Sequence, residues 1–390
     1  MERLWNGNYV KIFTGNFMIF FSFYFIMTVL PMYLADTYEA NKHLIGIVLS
    51  GYTITALVAR SVGGYLADSY RRKTVLMICY TIFFLFFAGY LVTWSIMLFA
   101  IIRTLHGFPF GALTVTSSSM AVDVLHPTRR AEGIGYYGLS NNLAMASGPA
   151  LGLFLYRLIG DANVLFIISL VAAGIGLAID STITTGGSRP AHRQSLSLKH
   201  FFLIKGLRVA ATMALLSFGY GIFSNYLAIY TRDELSSPSY AGVFFVILAV
   251  GLMASRFLGA HSLRKGRITR NGSIGVALAL CGYLLFAVVQ HPVAYYTTAL
   301  LIGLGNGFIF AAFFNMCIDL AGDEHRGAAN STLLTSWDVG VGLGVLLGGI
   351  MAEDLGFRCT FIISAVVNAL GVAVYFLSAR PYYLATQRAR

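Results

Sequence analysis

Three side chains of this 390-residue chain stand in apolar surroundings where each could carry charge chemistry: Arg103 and His106 in RTLHGFPFGA (103–112), and Asp338 in SWDVGVGLG (336–344). An arginine inside a membrane span costs about 2.5–3.5 kcal/mol near the helix centre, so it persists where it meets a wet cavity, an acid or a substrate anion. His106 follows three residues later, on the same helix face. An ordinary imidazole titrates near pH ~6.5, so it can change charge around neutrality. A carboxylate at membrane depth is by default a functional-site expectation, and taking up and releasing a proton is what proton coupling requires. Asp338, Arg103 and His106 are therefore the candidate proton-coupling set. The plainer alternatives are snorkelling or an ion pair for Arg103, a hydrogen-bonded packing role for His106, and permanent pairing for Asp338, with Arg256 one candidate partner.

A second group of residues has the chemistry of a gate. In GGYLADSYRRK (63–73), Gly63 and Gly64 permit close helix approach, and Asp68 stands beside the bases Arg71, Arg72 and Lys73. Such a latch of opposite charges could close one face and release it; the simpler reading is a basic loop that fixes topology. In SNNLAMASGPALG (140–152), Gly148 and Gly152 lie four apart, the spacing that lets membrane helices approach closely. Pro149 between them removes a helix hydrogen bond, a penalty softened where neighbouring groups in the bundle re-satisfy the freed carbonyl.

The elements that must position these residues are membrane spans. The chain is 57% hydrophobic and 11% charged, with a mean hydropathy of +0.73, whereas soluble domains carry about 25% charged residues. Apolar stretches of the ~20 residues needed to cross a bilayer occur from end to end. Twelve are expected, at about 9–34, 44–68, 73–93, 95–120, 132–158, 163–183, 206–231, 240–262, 270–290, 294–320, 327–352 and 357–379. Twenty of the 27 Lys and Arg then fall on one side, four on the other and three within spans. Basic loops stay cytoplasmic, so both termini of this multi-pass protein are expected there. The net charge of +11 thus reflects topology and calls for no nucleic-acid partner.

Sliding the chain against itself by 196 residues superposes Gly46 on Gly242, Arg60 on Arg256, Gly63 on Gly259, Gly107 on Gly303 and Gly111 on Gly307. The same shift sets Asp123 on Asp319, Arg130 on Arg326, Gly148 on Gly344 and Gly152 on Gly348. Each half holds six spans, so the repeats run parallel, an arrangement in which transporters place substrate near the midplane between halves. The expected organisation is an all-α integral membrane protein of two six-helix bundles, 1–183 and 206–390, joined by a Gly/Ser-rich basic linker, 184–205.

The 63–73 loop resembles that of the major facilitator superfamily, roughly G-x-x-x-D-R/K-x-G-R/K-R/K, with Gly64, Asp68, Arg72 and Lys73 on the pattern and Ser69 and Arg71 off it. Arg103 and Gly107 match the superfamily's arginine-glycine motif, with His106 where glutamine is usual. Gly148, Pro149 and Gly152 resemble the motif associated with its antiporters, although Leu153 replaces the final glycine and Gly138 leads one place early. HPTRRAEGIGYYG (126–138) is similar to the corresponding loop of bacterial sugar- and drug-efflux members. The resemblance implies that spans 1, 4, 7 and 10 line the substrate path. There they offer Asn16, Tyr24, Thr28, Tyr220, Asn225, Tyr226, Asn306 and Asn315, a plan of apolar walls with few polar anchors.

No nucleotide-binding G-x-x-x-x-G-K-[ST] pattern occurs, and no nucleophile set or ligand cluster points to an enzyme, a metal or another cofactor. The four cysteines lie singly in different spans, unlike a disulfide framework or a zinc site. The reading is a monomeric secondary transporter in the lipid bilayer that exports a small organic molecule (a drug, sugar or metallophore-like metabolite) by proton antiport with alternating access. The alternatives are proton-coupled uptake, or a non-pumping lipid flippase or sensor on the same fold.

Overall fold

Pro31 divides the first apolar stretch. The computed structural model describes residues 4–126, 129–184, 203–235, 239–289, 291–321 and 326–388. In it, helix α1 (Gly7–Met27) is capped by Asn6 Oδ1, which accepts from Tyr9 N–H at 2.8 Å. A proline ring clashes with the carbonyl four residues earlier and supplies no N–H; for Pro31 that carbonyl belongs to Met27, where α1 ends. A short helix α2 (Leu30–Tyr38) follows, with Pro31 in its first turn. The single span expected over 9–34 is therefore two helices, for this steric reason.

The next helices are α3 (Lys42–Ser69), α4 (Arg72–Tyr90), α5 (Ile96–Asp123), α6 (Arg130–Ile159) and α7 (Ala162–Ser181). Ser95 and Asp161 cap α5 and α7 through their side chains, and Gly160 ends α6 at φ 75°, a left-handed conformation that glycine adopts without penalty. Then come α8 (Leu207–Asp233), α9 (Ser239–Arg264), α10 (Ile268–Val288), α11 (Pro292–Ala321), α12 (Arg326–Asp354) and α13 (Gly356–Val374). A π-turn at Tyr375–Ala379 leads from α13 to α14 (Arg380–Arg388). Among the described residues every regular element is helical, and 11 helices are long and apolar enough to cross a bilayer. Helix α6 has the length, 30 residues, but carries the polar stretch Ser140-Asn141-Asn142. Most of the linker expected at 184–205 lies outside the described residues.

The chain divides into two compact units: residues 1–39 with 51–196, and residues 40–50 with 197–390. The start of α3 thus groups with the second unit. There Lys42 N–H donates to Glu353 Oε2 at 3.0 Å and its ammonium lies 4.7 Å from the Phe357 ring centre.

Within each unit one packing scheme recurs. In the first, α1 packs on α6 and α7, and α4 on α5 and α7. In the second, α8 packs on α12 and α13, and α10 on α11 and α13. Acyl chains are as apolar as leucine, so contact between such helices depends on close packing rather than on hydrophobic expulsion. Glycines make that contact possible. A Cβ at Gly107 would overlap the Tyr52 carbonyl oxygen, and one at Gly303 the Leu248 carbonyl oxygen; Gly63 abuts Ala112 as Gly259 abuts Phe308. Each of these four positions and its counterpart differ by 196 residues, so the register read from sequence recurs in the packing. Several hydroxyls inside the bundles are satisfied locally: Thr116, Thr212 and Thr332 each donate to the carbonyl four residues earlier, the usual device for a polar side chain within a helix. Ile54, Phe154, Phe257 and Leu377 are exposed, as side chains that face acyl chains are.

Candidate functional site

Helix α5 presents Arg103 and His106 to the end of α4, and both converge on Tyr90, the last residue of that helix. Arg103 Nη1 donates to the Tyr90 hydroxyl at 3.2 Å, and the same oxygen lies 2.8 Å from His106 Nδ1. With Arg103 supplying a proton to the tyrosine oxygen, the phenol's own proton is available to Nδ1. Arg103 is 3% exposed and His106 is fully buried. The guanidinium carbon stands 4.0 Å from the Tyr52 ring centre and 5.6 Å from that of Phe23; a desolvated cation over an aromatic face gains about 2 kcal/mol. Arg103 Nε has no hydrogen-bond partner among the described residues. His106 is enclosed by rings, with Phe83 and Phe87 centred 4.8 Å away and Phe86 stacked at 5.2 Å. Arg103, Tyr90 and His106 thus form one buried polar chain within an aromatic shell.

A cavity of about 470 Å³, lined by Tyr33, Asp36, Thr93, Tyr156 and Asp161 among others, opens near α2. Tyr156 donates to Asp36 Oδ2 at 3.1 Å. Phe99 and Phe166 each contact both Tyr33 and Tyr90, so an aromatic pair bridges the cavity wall and the buried chain.

The basic residues at the start of α4 fasten three other helix ends of the first unit. Arg72 Nη1 pairs with Asp123 Oδ1 at 2.6 Å, and its Nε donates to Ala67 O at 3.2 Å. Lys73 Nζ donates to Ser181 O at 2.8 Å and Ile183 O at 2.6 Å, where cations favour the carbonyl-rich end of a helix. The Asp68 side chain lies outside the described residues. A Cβ at Gly64 would meet nothing nearer than Val115 at 4.0 Å. Gly148 and Gly152 seat α6 on α1, where added Cβ atoms would crowd Tyr24 and overlap the Phe25 carbonyl oxygen. Pro149 sits inside an unbroken α6.

The expected binding residues divide by unit and by use. Asn16 is fully buried, its Oδ1 accepting from Tyr137 at 2.7 Å and its Nδ2 donating to Ser140 Oγ at 2.7 Å; both ends of its amide serve the α1–α6 contact. Thr28 is buried as the C-cap of α1, and half-buried Tyr24 packs on Phe20 and Phe23. In the second unit, Tyr226 donates to Val345 O at 2.8 Å, binding α8 to α12. Asn225 and Asn315 donate to carbonyls of their own helices, Gly221 and Ala311. Asn306 is buried, with Nδ2 unpartnered among the described residues. Tyr220 lies 5.3 Å from Trp337, and Trp337 5.9 Å from Phe310. Asp338, half-buried, follows Trp337. The second unit therefore carries a carboxylate one residue along α12 from an aromatic cluster.

Two residues escaped the sequence reading. Tyr90 closes an aromatic run and reads as an interfacial tyrosine; the available signal was that its partner in the repeat, Phe286, lacks the hydroxyl. Asp180, next to the end of α7, reads as a loop-border acid.

The sequence profile of the Major Facilitator Superfamily matches residues 12–340, and again 301–390. The staphylopine export protein of Staphylococcus aureus is 21% identical over 377 residues, covering 92% of this chain and 93% of that protein. A probable sugar efflux transporter of Helicobacter pylori is 22% identical over 371 residues, covering 94% and 93%. Among solved structures, a peptide transporter in complex with sulfate superposes with a TM-score of 0.79 at 13% identity, over 96% of this chain and 94% of that one.

Proposed function

The chain belongs to the Major Facilitator Superfamily, and from that premise we propose that it exports a small organic molecule by proton antiport with alternating access. The export sense is supported by relatives named for export and efflux that align over more than nine-tenths of the chain. The observation that carries the proton reading is Asp338, a half-buried carboxylate on the membrane helix α12, one residue after Trp337, whose own ring lies 5.3 Å from Tyr220 and 5.9 Å from Phe310. An acid at membrane depth suits alternate occupation by a proton and by an organic substrate. Arg103 and His106, joined by Tyr90, act with it as the coupling set. Asn306, with Nδ2 unpartnered among the described residues, and the rings of Tyr24 and Tyr220 line the substrate path, while Gly148, Pro149 and Gly152 repack α6 on α1 as bodies 1–183 and 206–390 alternate. The protein works as a monomer in a bacterial inner membrane with both termini cytoplasmic, in keeping with twenty basic residues on one side and four on the other.

The test is a substrate panel of sugars, cationic drugs and metal-chelating metabolites in inside-out vesicles with an imposed pH gradient. Export predicts that one of these enters the vesicle as protons leave it. Equal uptake with and without the gradient would refute proton coupling, and movement in the opposite sense would make the protein an uptake symporter.

A further inference from the structure

We propose that Asp180 is a second proton-binding site, built into the seam between α1, α4 and α7 and closed only while the proton is bound. The inference does not depend on coupling at Asp338, and failure of that reading leaves it standing. The Asp180 side chain is fully buried in the last turn of α7, and neither carboxylate oxygen has a hydrogen-bond partner among the described residues. Its place is made by a missing side chain: a Cβ at Gly15 of α1 would stand 2.5 Å from Asp180 Cγ and overlap both oxygens. One turn earlier on α7, Gly176 admits the Tyr80 hydroxyl in the same way, and that hydroxyl donates to Gly15 O at 3.3 Å. Two glycines thus form a slot in which an acid and a phenol lie against the α1 backbone.

Among the described residues, the charged and titratable groups around the slot each hold another partner. From α1, Lys11 Nζ donates to Thr182 O at 2.8 Å, and Tyr9 donates to Gly133 O at 2.5 Å. From α4, Lys73 Nζ holds Ser181 O and Ile183 O, and Tyr80 holds Gly15 O. From α6, the Tyr137 hydroxyl serves Asn16 and Ser117. An ionised carboxylate left without a donor in a fully buried seam is strongly disfavoured, whereas the neutral acid requires far less of its surroundings. The packed seam accordingly holds the acid form. Loss of the proton creates a charge, and among the described residues the cations Lys11 and Lys73 are bound at this helix end, on the carbonyls of Thr182, Ser181 and Ile183. Meeting these cations draws the carboxylate out of the Gly15 slot and loosens the grip of Lys73 on the end of α7. The seam is therefore closed with the proton bound and opens as pH rises.

The experiment uses the full chain in lipid bilayers, with infrared spectroscopy and hydrogen–deuterium exchange. At neutral pH the wild type is expected to show a carboxylic C=O band that is absent in Asp180→Asn, whose neutral amide keeps the slot filled. Exchange in residues 9–18 and in the last turn of α7 is expected to rise at least several-fold from neutral to alkaline pH in the wild type and to stay flat in Asp180→Asn. Gly15→Ala keeps the acid but expels it from the slot, and is expected to lose the same band. A band unchanged in Asp180→Asn, a band retained in Gly15→Ala, or alkaline opening that persists in Asp180→Asn would each overturn the proposal.

Discussion

The two halves share a scaffold and differ in what it carries. Tyr90, Arg103 and His106 form a buried polar chain in the first half. Their counterparts 196 residues later are Phe286, Ala299 and Ile302, all buried and all apolar. At α6 and α12 the asymmetry reverses, where Asn141-Asn142 corresponds to Trp337-Asp338. Five of the glycines that set helix separation, Gly63, Gly107, Gly111, Gly148 and Gly152, recur as Gly259, Gly303, Gly307, Gly344 and Gly348. Backbone approach therefore fixes the architecture, and each half is free to place charge where the other has hydrocarbon.

The sharpest way to break this comparison is to attack what is shared. Gly107→Val and Gly303→Val each drive a side chain into a backbone carbonyl, and overpacking of this kind costs about 3 kcal/mol or more. Both variants are expected to show the largest falls in thermal unfolding temperature in detergent. A large loss in one half alone would mean that the register is not structural.

Next in size is the polar chain. Tyr90→Phe installs the second half's residue and leaves Arg103 and His106 short of a partner, at about 1–3 kcal/mol. The triple variant Tyr90→Phe/Arg103→Ala/His106→Ile copies the second half entirely. Because contacting residues are not additive, it is expected to be more stable than the sum of its parts, while transport is lost. Stability that simply adds would show that the three residues do not act as a unit.

The smallest stability effect belongs to the α4 clasp. The Arg72–Asp123 pair is partly solvated, its side chains 35% and 24% exposed, and pairs of this type contribute about 1 kcal/mol or less. Arg72→Ala is expected to slow transport with a shift in unfolding temperature near the limit of measurement. The corresponding second-half stretch, GAHSLRKGR, keeps bases without an aspartate, so Arg267→Ala should slow transport less than Arg72→Ala, by initial rates in vesicles.

Much of the fold was legible because its determinants are local or periodic: apolar lengths, basic loops, and glycines repeated at a fixed interval. The break at Pro31 was less so, since Pro109 and Pro149 occupy similar apolar runs and leave α5 and α6 continuous. The candidate site was legible as residues but not as contacts. Arg103 and His106 were evident from charge in an apolar run, whereas their junction at Tyr90 depends on how α4 and α5 are rotated against each other. Asn16 had the composition of a binding residue, yet Tyr137 and Ser140 take up its amide. Asp180 was hidden because a carboxylate near a helix end ordinarily meets water, and only the Gly15 slot shows that this one does not.

The central claim, that the asymmetric charge of the second half couples protons to transport, is tested most directly by Asp338→Asn, which gives α12 the residue that α6 carries at Asn142. In vesicles with an imposed pH gradient, the variant should lose gradient-driven accumulation yet still exchange labelled for unlabelled substrate at a rate near that of the wild type. Accumulation unchanged from the wild type would contradict the account.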